Sequence, residues 1–244
     1  MRVDALAVRL RPRTALEAAD LGVRLCQHAA RSVYACHLAV GVPVAALALA
    51  SHEIFAWLPS LVLWWFKPWL DRTSLFVLSR AAFGVSTTPG DVWRAQRDVW
   101  WSRLPATLTI RRLSPWRSAT QPVYQLEGLP FRAARRRAQQ IRRRTAGPAL
   151  LMTAAFSLAE SALTLSLVSL VFWFAPRGLA PDLLAMLAGE GSPLVPVALA
   201  VAYSVAVLFL EPFYVGAGFA MYLNRRAELE AWDIEQEFRR AFAA

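Results

Sequence analysis

Two long apolar stretches in the second half of the chain constrain its fold more than any other feature. They cover residues 148–174 and 193–223, which are 27 and 31 residues long. A helix that crosses the hydrocarbon core of a bilayer, about 30 Å thick, needs roughly 20 apolar residues. Shorter stretches lie at 33–50 and 54–66, and only 18% of all residues are charged, against about 25% in soluble domains. The pattern predicts an all-α integral membrane protein built as a helical bundle.

The stretch 54–66 is the shortest of the four, with 13 residues that would cover roughly 20 Å as a helix. We interpret it as a span extended to 54–70, with the Lys67 side chain snorkelling toward the interface. The alternative is that it forms half of a re-entrant hairpin. The first interpretation gives four transmembrane helices, predicted at 33–50, 54–70, 148–174 and about 200–223.

The basic residues predict the orientation of these spans. The net charge is +10, and 26 of the 27 Lys and Arg residues fall in the segments 1–33, 67–147 and 221–244. The exception is Arg177, in the loop 175–192. By the positive-inside rule, both termini and the middle segment lie in the cytoplasm of a bacterial inner membrane. The predicted cytoplasmic parts are an N-terminal segment 1–32, a basic helical region 67–147 and an amphipathic helix 224–244.

Local signals predict several helix ends and one loop. Thr88 followed by Pro89 and Asp91 is typical of a capped helix start. Gly84 is predicted to end a helix that begins near residue 70. The segment 113–128 contains two prolines and closes on a glycine, which favours a loop.

Two carboxylates, Glu160 and Glu211, interrupt the last two spans. Each lies 12 residues from the predicted cytoplasmic edge of its span, which places both about 18 Å deep if the two helices are antiparallel. Ionisable residues at that depth are rare, and they mark candidate functional positions. Five polar residues at helical spacing are predicted to accompany them: Ser157, Ser161, Thr164, Ser204 and Tyr214.

Three roles are open for this intramembrane polar pair. The carboxyls are protonated and fix helix packing, or they bind protons or cations, or one of them forms a salt bridge with an arginine such as Arg80. Gly216 and Gly218, further along the last span, are expected to allow close helix packing.

A cluster of seven arginines precedes the third span: Arg132, Arg135, Arg136, Arg137, Arg142, Arg143 and Arg144. Its position beside a cytoplasmic membrane surface favours contact with anionic lipids, with partner docking and nucleic-acid binding as alternatives. No metal-ligand spacing, phosphate loop or catalytic motif is found, so neither an enzyme nor a cofactor is expected. Cys26 and Cys36 are predicted to be small buried side chains.

Two blocks carry a resemblance: LWWFKPWLDRTSLFVLSRAAFG and EPFYVGAGFAMYLNRRAELEAWDIEQEFRR. They resemble a family of uncharacterised bacterial integral membrane proteins that are often encoded near MoxR-type ATPases. The resemblance implies an inner-membrane protein in a multi-component system, and it transfers no active site to any residue here.

These observations lead to one main hypothesis and two others. The first is a non-enzymatic component or scaffold of an inner-membrane complex, in contact with anionic lipids and with other proteins or further copies of itself. The second is a transporter or channel-like protein that uses Glu160 and Glu211 for proton or cation coupling. The third is a lipid-binding or lipid-processing membrane protein.

Overall fold

The computed structural model describes residues 13–102, 104–109, 111–174 and 194–230. These residues form helices joined by turns, and no β-strand occurs among them. The α-helices are α1 (Ala15–His28), α2 (Ala30–Ala50), α3 (Leu58–Ala81), α4 (Pro89–Arg94), α5 (Leu104–Leu108), α6 (Arg117–Leu126), α7 (Phe131–Phe174) and α8 (Leu194–Glu230). A 3-10 turn (Ser51–Glu53) follows α2, and a π-helical turn (Arg97–Trp101) precedes α5. The prediction of an all-α fold is confirmed.

Helix α8 lies at the centre of the fold, and α1, α2, α3, α6 and α7 all pack against it. Its first half exposes large apolar side chains, among them Val197, Val205 and Phe209. From Glu211 to Tyr222 nearly all of its side chains are buried by the other helices. The second half of α8 is therefore a protein core, whereas the first half presents an apolar surface of the kind that faces lipid.

Glycines let two helices approach the backbone of α8. A Cβ atom at Gly216 would lie 2.7 Å from the carbonyl oxygen of Gly22 in α1, and a Cβ at Gly22 would overlap the Gly216 carbonyl. Two residues later on α8, a Cβ at Gly218 would overlap Ser118 of α6. The expectation that Gly216 and Gly218 permit close helix packing is confirmed, because neither contact has room for a side chain.

Three helices in the described part of the chain are long and apolar enough to cross a membrane: Ala30–Glu53, Phe131–Leu170 and Val195–Glu230. They contain the predicted spans 33–50 and 200–223 and most of 148–174. Helix α3, which contains residues 58–70 of the predicted span 54–70, does not meet that standard, because Lys67, Asp71, Arg72 and Arg80 interrupt its apolar residues.

The second half of α3 is buried but polar. The Arg72 guanidinium donates to the Asp98 carbonyl at 3.0 Å and to the Thr107 hydroxyl at 3.1 Å. The Trp100 indole N–H donates to the Thr73 hydroxyl at 3.0 Å. These bonds hold the π-helical turn and α5 against α3. This half of α3 is thus covered by protein rather than by lipid, which explains how it tolerates so many polar side chains.

The local predictions have mixed outcomes. Thr88 caps α4 in a capping box with Asp91, as predicted, and Gly84 follows α3 with a φ of 73°, in the left-handed region that favours glycine. The loop prediction for 113–128 is wrong, because α6 forms within that segment with Pro122 inside it. Burial of Ser118 and Ala119 against α8 stabilises this helix despite the proline.

The predicted segment boundaries at 148 and 224 do not coincide with helix ends. Helix α7 passes through Pro148, so the basic region and the third apolar stretch form one helix of 44 residues. Helix α8 likewise continues past residue 224 to Glu230. Residues 1–12 of the N-terminal segment, the loop 175–193 with Arg177, and residues 231–244 of the predicted C-terminal helix lie outside the described residues.

Candidate functional site: a buried chain of ion pairs

Lys67 of α3 lies between the two intramembrane carboxylates. Its Nζ atom is 2.5 Å from Glu160 Oε2 on α7 and 2.8 Å from Glu211 Oε2 on α8. The structure therefore brings Glu160 and Glu211 to the same ammonium group. The carboxyls do not meet directly, because a cation separates them.

Arg117, the first residue of α6, extends this arrangement on the other side of Glu211. Its Nη2 atom is 2.9 Å from Glu211 Oε1, and its Nε atom is 2.9 Å from Asp71 Oδ2. Asp71 lies one turn after Lys67 on α3. The five residues form a continuous ion-pair chain in the order Glu160, Lys67, Glu211, Arg117 and Asp71.

The ion-pair chain is largely removed from solvent. The side chains of Asp71 and Glu211 are 0% and 2% exposed, and those of Lys67, Arg117 and Glu160 are between 12% and 15% exposed. Removing an ion from water is costly, so buried charges are stable only when oppositely charged partners and hydrogen bonds compensate them. Each member of the chain has such a partner within 3 Å.

A third cation, Arg112, balances the charges. Its guanidinium carbon lies 3.6 Å from the centre of the Trp64 ring, a cation–π contact, and the residue is 6% exposed. Burial, together with the positive charge of Arg117, lowers the pKa of Arg112 to about 10, so its side chain remains protonated at neutral pH. Three cations then accompany the three carboxylates of the ion-pair chain.

A cavity of about 280 Å³ opens beside these groups. It lies between α3 and α7 and reaches α8, and we call it the mixed-charge cavity. Its polar lining includes Lys67, Arg112, Arg117, Glu160 and Glu211, whereas Trp64 and Phe156 supply apolar walls. The ion-pair chain therefore borders space that small molecules or ions could occupy.

The five predicted companion residues have different positions. Tyr214 and Ser157 line the mixed-charge cavity. The Tyr214 ring lies 5.5 Å from the Arg117 guanidinium, and its hydroxyl is 3.2 Å from the Thr153 hydroxyl. By contrast, the hydroxyls of Ser161, Thr164 and Ser204 donate to backbone carbonyls four residues earlier in their own helices. Those three hydroxyls satisfy local hydrogen bonds instead of contacting the carboxylates.

Glu211 forms salt bridges, but with Lys67 and Arg117 and not with Arg80, the arginine that the sequence suggested. Arg80 lies over the Phe76 ring at 5.5 Å, while Lys67 and Arg117 occupy the positions beside Glu211. Lys67 was expected to snorkel toward the interface, and that prediction is wrong because its ammonium group contacts two carboxylates.

Sequence reasoning missed Asp71, Arg112 and Arg117 as members of the site. One local signal was present: Lys67 and Asp71 stand four residues apart at the end of an apolar stretch, so both side chains lie on one face of a helix. For Arg112 and Arg117 no such signal exists, since they come from a segment that reads as a loop.

The seven clustered arginines all lie in the N-terminal part of α7 and separate into groups. Arg137 pairs with Glu127 at 3.5 Å and also contacts Glu230. Arg135 and Arg142 line a second cavity, beside α6. The remaining four, which are exposed, are Arg132, Arg136, Arg143 and Arg144.

Within the described residues, no group of three or more His, Cys, Asp or Glu side chains is arranged to hold a metal ion. Comparison of the chain with protein-family models, curated proteins and solved structures gave no match.

Proposed function

We propose that this chain is a non-enzymatic component or scaffold of a bacterial inner-membrane complex, and that the ion-pair chain locks its helical bundle. The observation that carries the proposal is the position of Glu211, held between Lys67 and Arg117 on the central helix. Through these contacts one set of charges joins α3, α6, α7 and α8. Each helix that moved away would leave an unpaired charge behind, which makes this one arrangement strongly preferred.

We further propose that the protein has four transmembrane helices. The fourth is α3, whose length and composition alone do not identify it as a span. Its apolar first half exposes Leu61, Trp64 and Trp65 in the way that lipid-facing residues do. Lys67, at the end of that half, is neutralised by its two carboxylates, which lowers the cost of placing it within the membrane. The positive-inside distribution then places both termini in the cytoplasm.

The partners proposed are anionic lipids of the cytoplasmic leaflet, together with further membrane proteins or additional copies of the chain. The exposed arginines Arg132, Arg136, Arg143 and Arg144 support the lipid contact, because each basic residue near an anionic surface is worth about 1 kcal/mol. Nucleic acid and a bound cofactor are not part of the proposal.

The mixed-charge cavity favours one second candidate, a transporter or channel-like protein that couples to protons or cations. Glu160 and Lys67 both line that cavity and are partly accessible, so a proton or cation entering it would meet them. The two candidates differ in what Glu160 does: it is a fixed partner of Lys67 in the scaffold and a titrating or ion-binding group in the transporter.

Substitution of the two carboxylates distinguishes the candidates. We expect Glu211→Gln to lower the melting temperature in detergent more than Glu160→Gln, because Glu211 has two cation partners and is more deeply buried. The parent protein, reconstituted into liposomes with a pH-sensitive dye inside and an imposed Na⁺, K⁺ or proton gradient, is expected to show no flux above that of empty liposomes.

Ser161→Ala is the matched control on α7, because Ser161 is exposed and its hydroxyl donates only within its own helix. It should change neither stability nor flux. Sustained flux in the parent protein that Glu160→Gln abolishes would contradict the scaffold proposal and support the transporter. Unchanged stability in both glutamine variants would show that the ion-pair chain does not lock the bundle.

A further inference from the structure

A second cavity lies on the cytoplasmic side of the fold, between α6 and the basic end of α7, and its lining carries one sign of charge. Its volume is about 250 Å³, and five arginines line it: Arg72, Arg111, Arg117, Arg135 and Arg142. No Asp or Glu among the described residues lines it. We call it the basic cavity. Converging cations within low-dielectric walls concentrate the positive potential and attract anions.

Several of these arginines are held in place by contacts that leave their charge intact. The Arg142 guanidinium lies 4.5 Å from the centre of the Trp116 ring, and that of Arg111 lies 3.3 Å from the centre of the Tyr124 ring. Arg72 is anchored by its hydrogen bond to the Asp98 carbonyl. Because these side chains are already ordered, less conformational entropy is lost when they bind a ligand.

The uncharged lining of the cavity adds a hydrogen-bond donor. Gln121 of α6 lines the cavity and is 9% exposed. Its buried Nε2 atom has no hydrogen-bond partner among the described residues. A buried donor without a partner is destabilising, and an anion in the cavity would accept a hydrogen bond from it. A hydrophobic ligand would leave this donor unsatisfied.

The cavity lies near the expected height of lipid headgroups. Arg142 and Arg135 precede Pro148, where the apolar part of α7 begins, by 6 and 13 residues. At 1.5 Å per residue these offsets are about 9 and 20 Å. The headgroup layer is about 5–8 Å thick on each side of the hydrocarbon core. Arg142 therefore lies at the outer edge of the headgroup layer, and Arg135 lies beyond it on the cytoplasmic side.

We infer that the basic cavity is a binding site for a phosphate group, carried by an anionic phospholipid headgroup or by a soluble phosphate compound. Guanidinium groups match the geometry of phosphate oxygens and bind them through paired N–H donors. The inference goes beyond the scaffold role, because it adds a ligand site to the locking of the bundle, with Arg117 common to both. It also separates Arg135 and Arg142 from the other clustered arginines, which would only attract anionic surfaces diffusely.

The main test removes two arginines that line the cavity and compares them with two on the same helix that do not line it. The test variant is Arg135→Gln with Arg142→Gln, and the control is Arg136→Gln with Arg143→Gln, which removes equal charge. Purified proteins in neutral detergent are titrated with inorganic pyrophosphate, followed by calorimetry. In nanodiscs that mix phosphatidylcholine with a small fraction of phosphatidylglycerol, native mass spectrometry counts the retained anionic lipid.

We expect the parent protein to bind one equivalent of at least one probe in a saturable manner. The test variant should bind it at least tenfold more weakly. The control should change this saturable binding less than twofold, and should lower only the additional, non-saturable association with anionic lipid. Retention of phosphatidylglycerol alone identifies a lipid headgroup as the source, and saturation by pyrophosphate alone identifies a soluble compound. Equal weakening in both variants would show diffuse attraction and overturn the inference. So would the lack of saturable binding of either probe by the parent.

A second pair of variants tests the cavity without removing charge. Gln139 lines the basic cavity on an exposed turn of α7, whereas the neighbouring Gln140 does not line it. Gln139→Trp is expected to weaken the same binding at least fivefold by occupying the cavity, and Gln140→Trp should change it less than twofold. If both tryptophan variants bind as the parent does, the ligand does not occupy this cavity. This comparison remains decisive if the arginine test variant does not fold.

Discussion

Replacement of Arg117 by methionine is expected to lower the free energy of unfolding by about 3–5 kcal/mol, the usual cost of breaking a buried ion pair by removing one partner. Arg117 lies 2.9 Å from both Asp71 and Glu211. The Asp71 side chain is 0% exposed, so Arg117→Met would leave its carboxyl buried without its ion-pair partner. Unfolding by denaturant in detergent micelles, followed by tryptophan fluorescence, measures the change.

Arg94→Met is the control for the loss of an arginine. Its side chain is 86% exposed and lies 3.8 Å from Asp91, and such surface pairs contribute about 0–1 kcal/mol. The double variant Asp71→Asn with Arg117→Met should be less destabilised than the sum of its single variants, because both charges of that pair are gone. An Arg117→Met protein as stable as Arg94→Met would contradict the lock.

The second large effect is expected at the contact of α1 with α8. Gly22→Ala should cost about 1–3 kcal/mol, the typical penalty of overpacking a closely packed site. The added methyl group would overlap the carbonyl of Gly216, which is backbone and cannot rotate away. The two helices would have to separate, and Cys26, which is one turn further along α1 and 0% exposed, would lose its cover.

The reactivity of the Cys26 thiol reports this separation directly. Burial raises the pKa of this thiol to about 12, so little thiolate is present at pH 7 in the parent protein. In a Cys36→Ala background, Gly22→Ala is expected to accelerate alkylation of Cys26 and to lower the melting temperature.

The matched control is Gly147→Ala on α7, where an added Cβ meets nothing within 4 Å. That change should be neutral or stabilising by up to about 1 kcal/mol, since alanine favours helices. Equal alkylation rates in the two variants would contradict the close contact.

The parts of the fold that depend on neighbouring residues could be predicted from the sequence. Apolar stretches of sufficient length predict helices that suit a membrane, and three such helices are present. The capping box of Thr88 was predictable because its hydrogen bonds involve residues within one turn. Burial of Cys26 and Cys36 and the close approach at Gly216 also followed from residue type.

The candidate site could be predicted only in part. Glu160 and Glu211 were predicted as site residues because a carboxylate within an apolar stretch is rare, whatever the orientation of its side chain. Their cations were not identified, because Lys67 is 93 residues from Glu160 and Arg117 is 94 residues from Glu211. Helix α6 itself was missed, because Pro115 before it and Pro122 inside it favour a loop in the sequence. Packing against α8, which the sequence does not show, stabilises the helix.

The sequence by itself determined that the fold is helical, that it contains apolar stretches long enough to cross a membrane, and that Glu160 and Glu211 interrupt two of them. These properties follow from composition and from the helical period, which act over a few residues. Only the tertiary structure decided that Lys67 and Arg117 neutralise Glu211, and that five arginines from separate segments surround one cavity. The strength of a charge interaction depends on distance and on burial in space. Residues that are far apart along the chain become close in space and buried only when the helices pack.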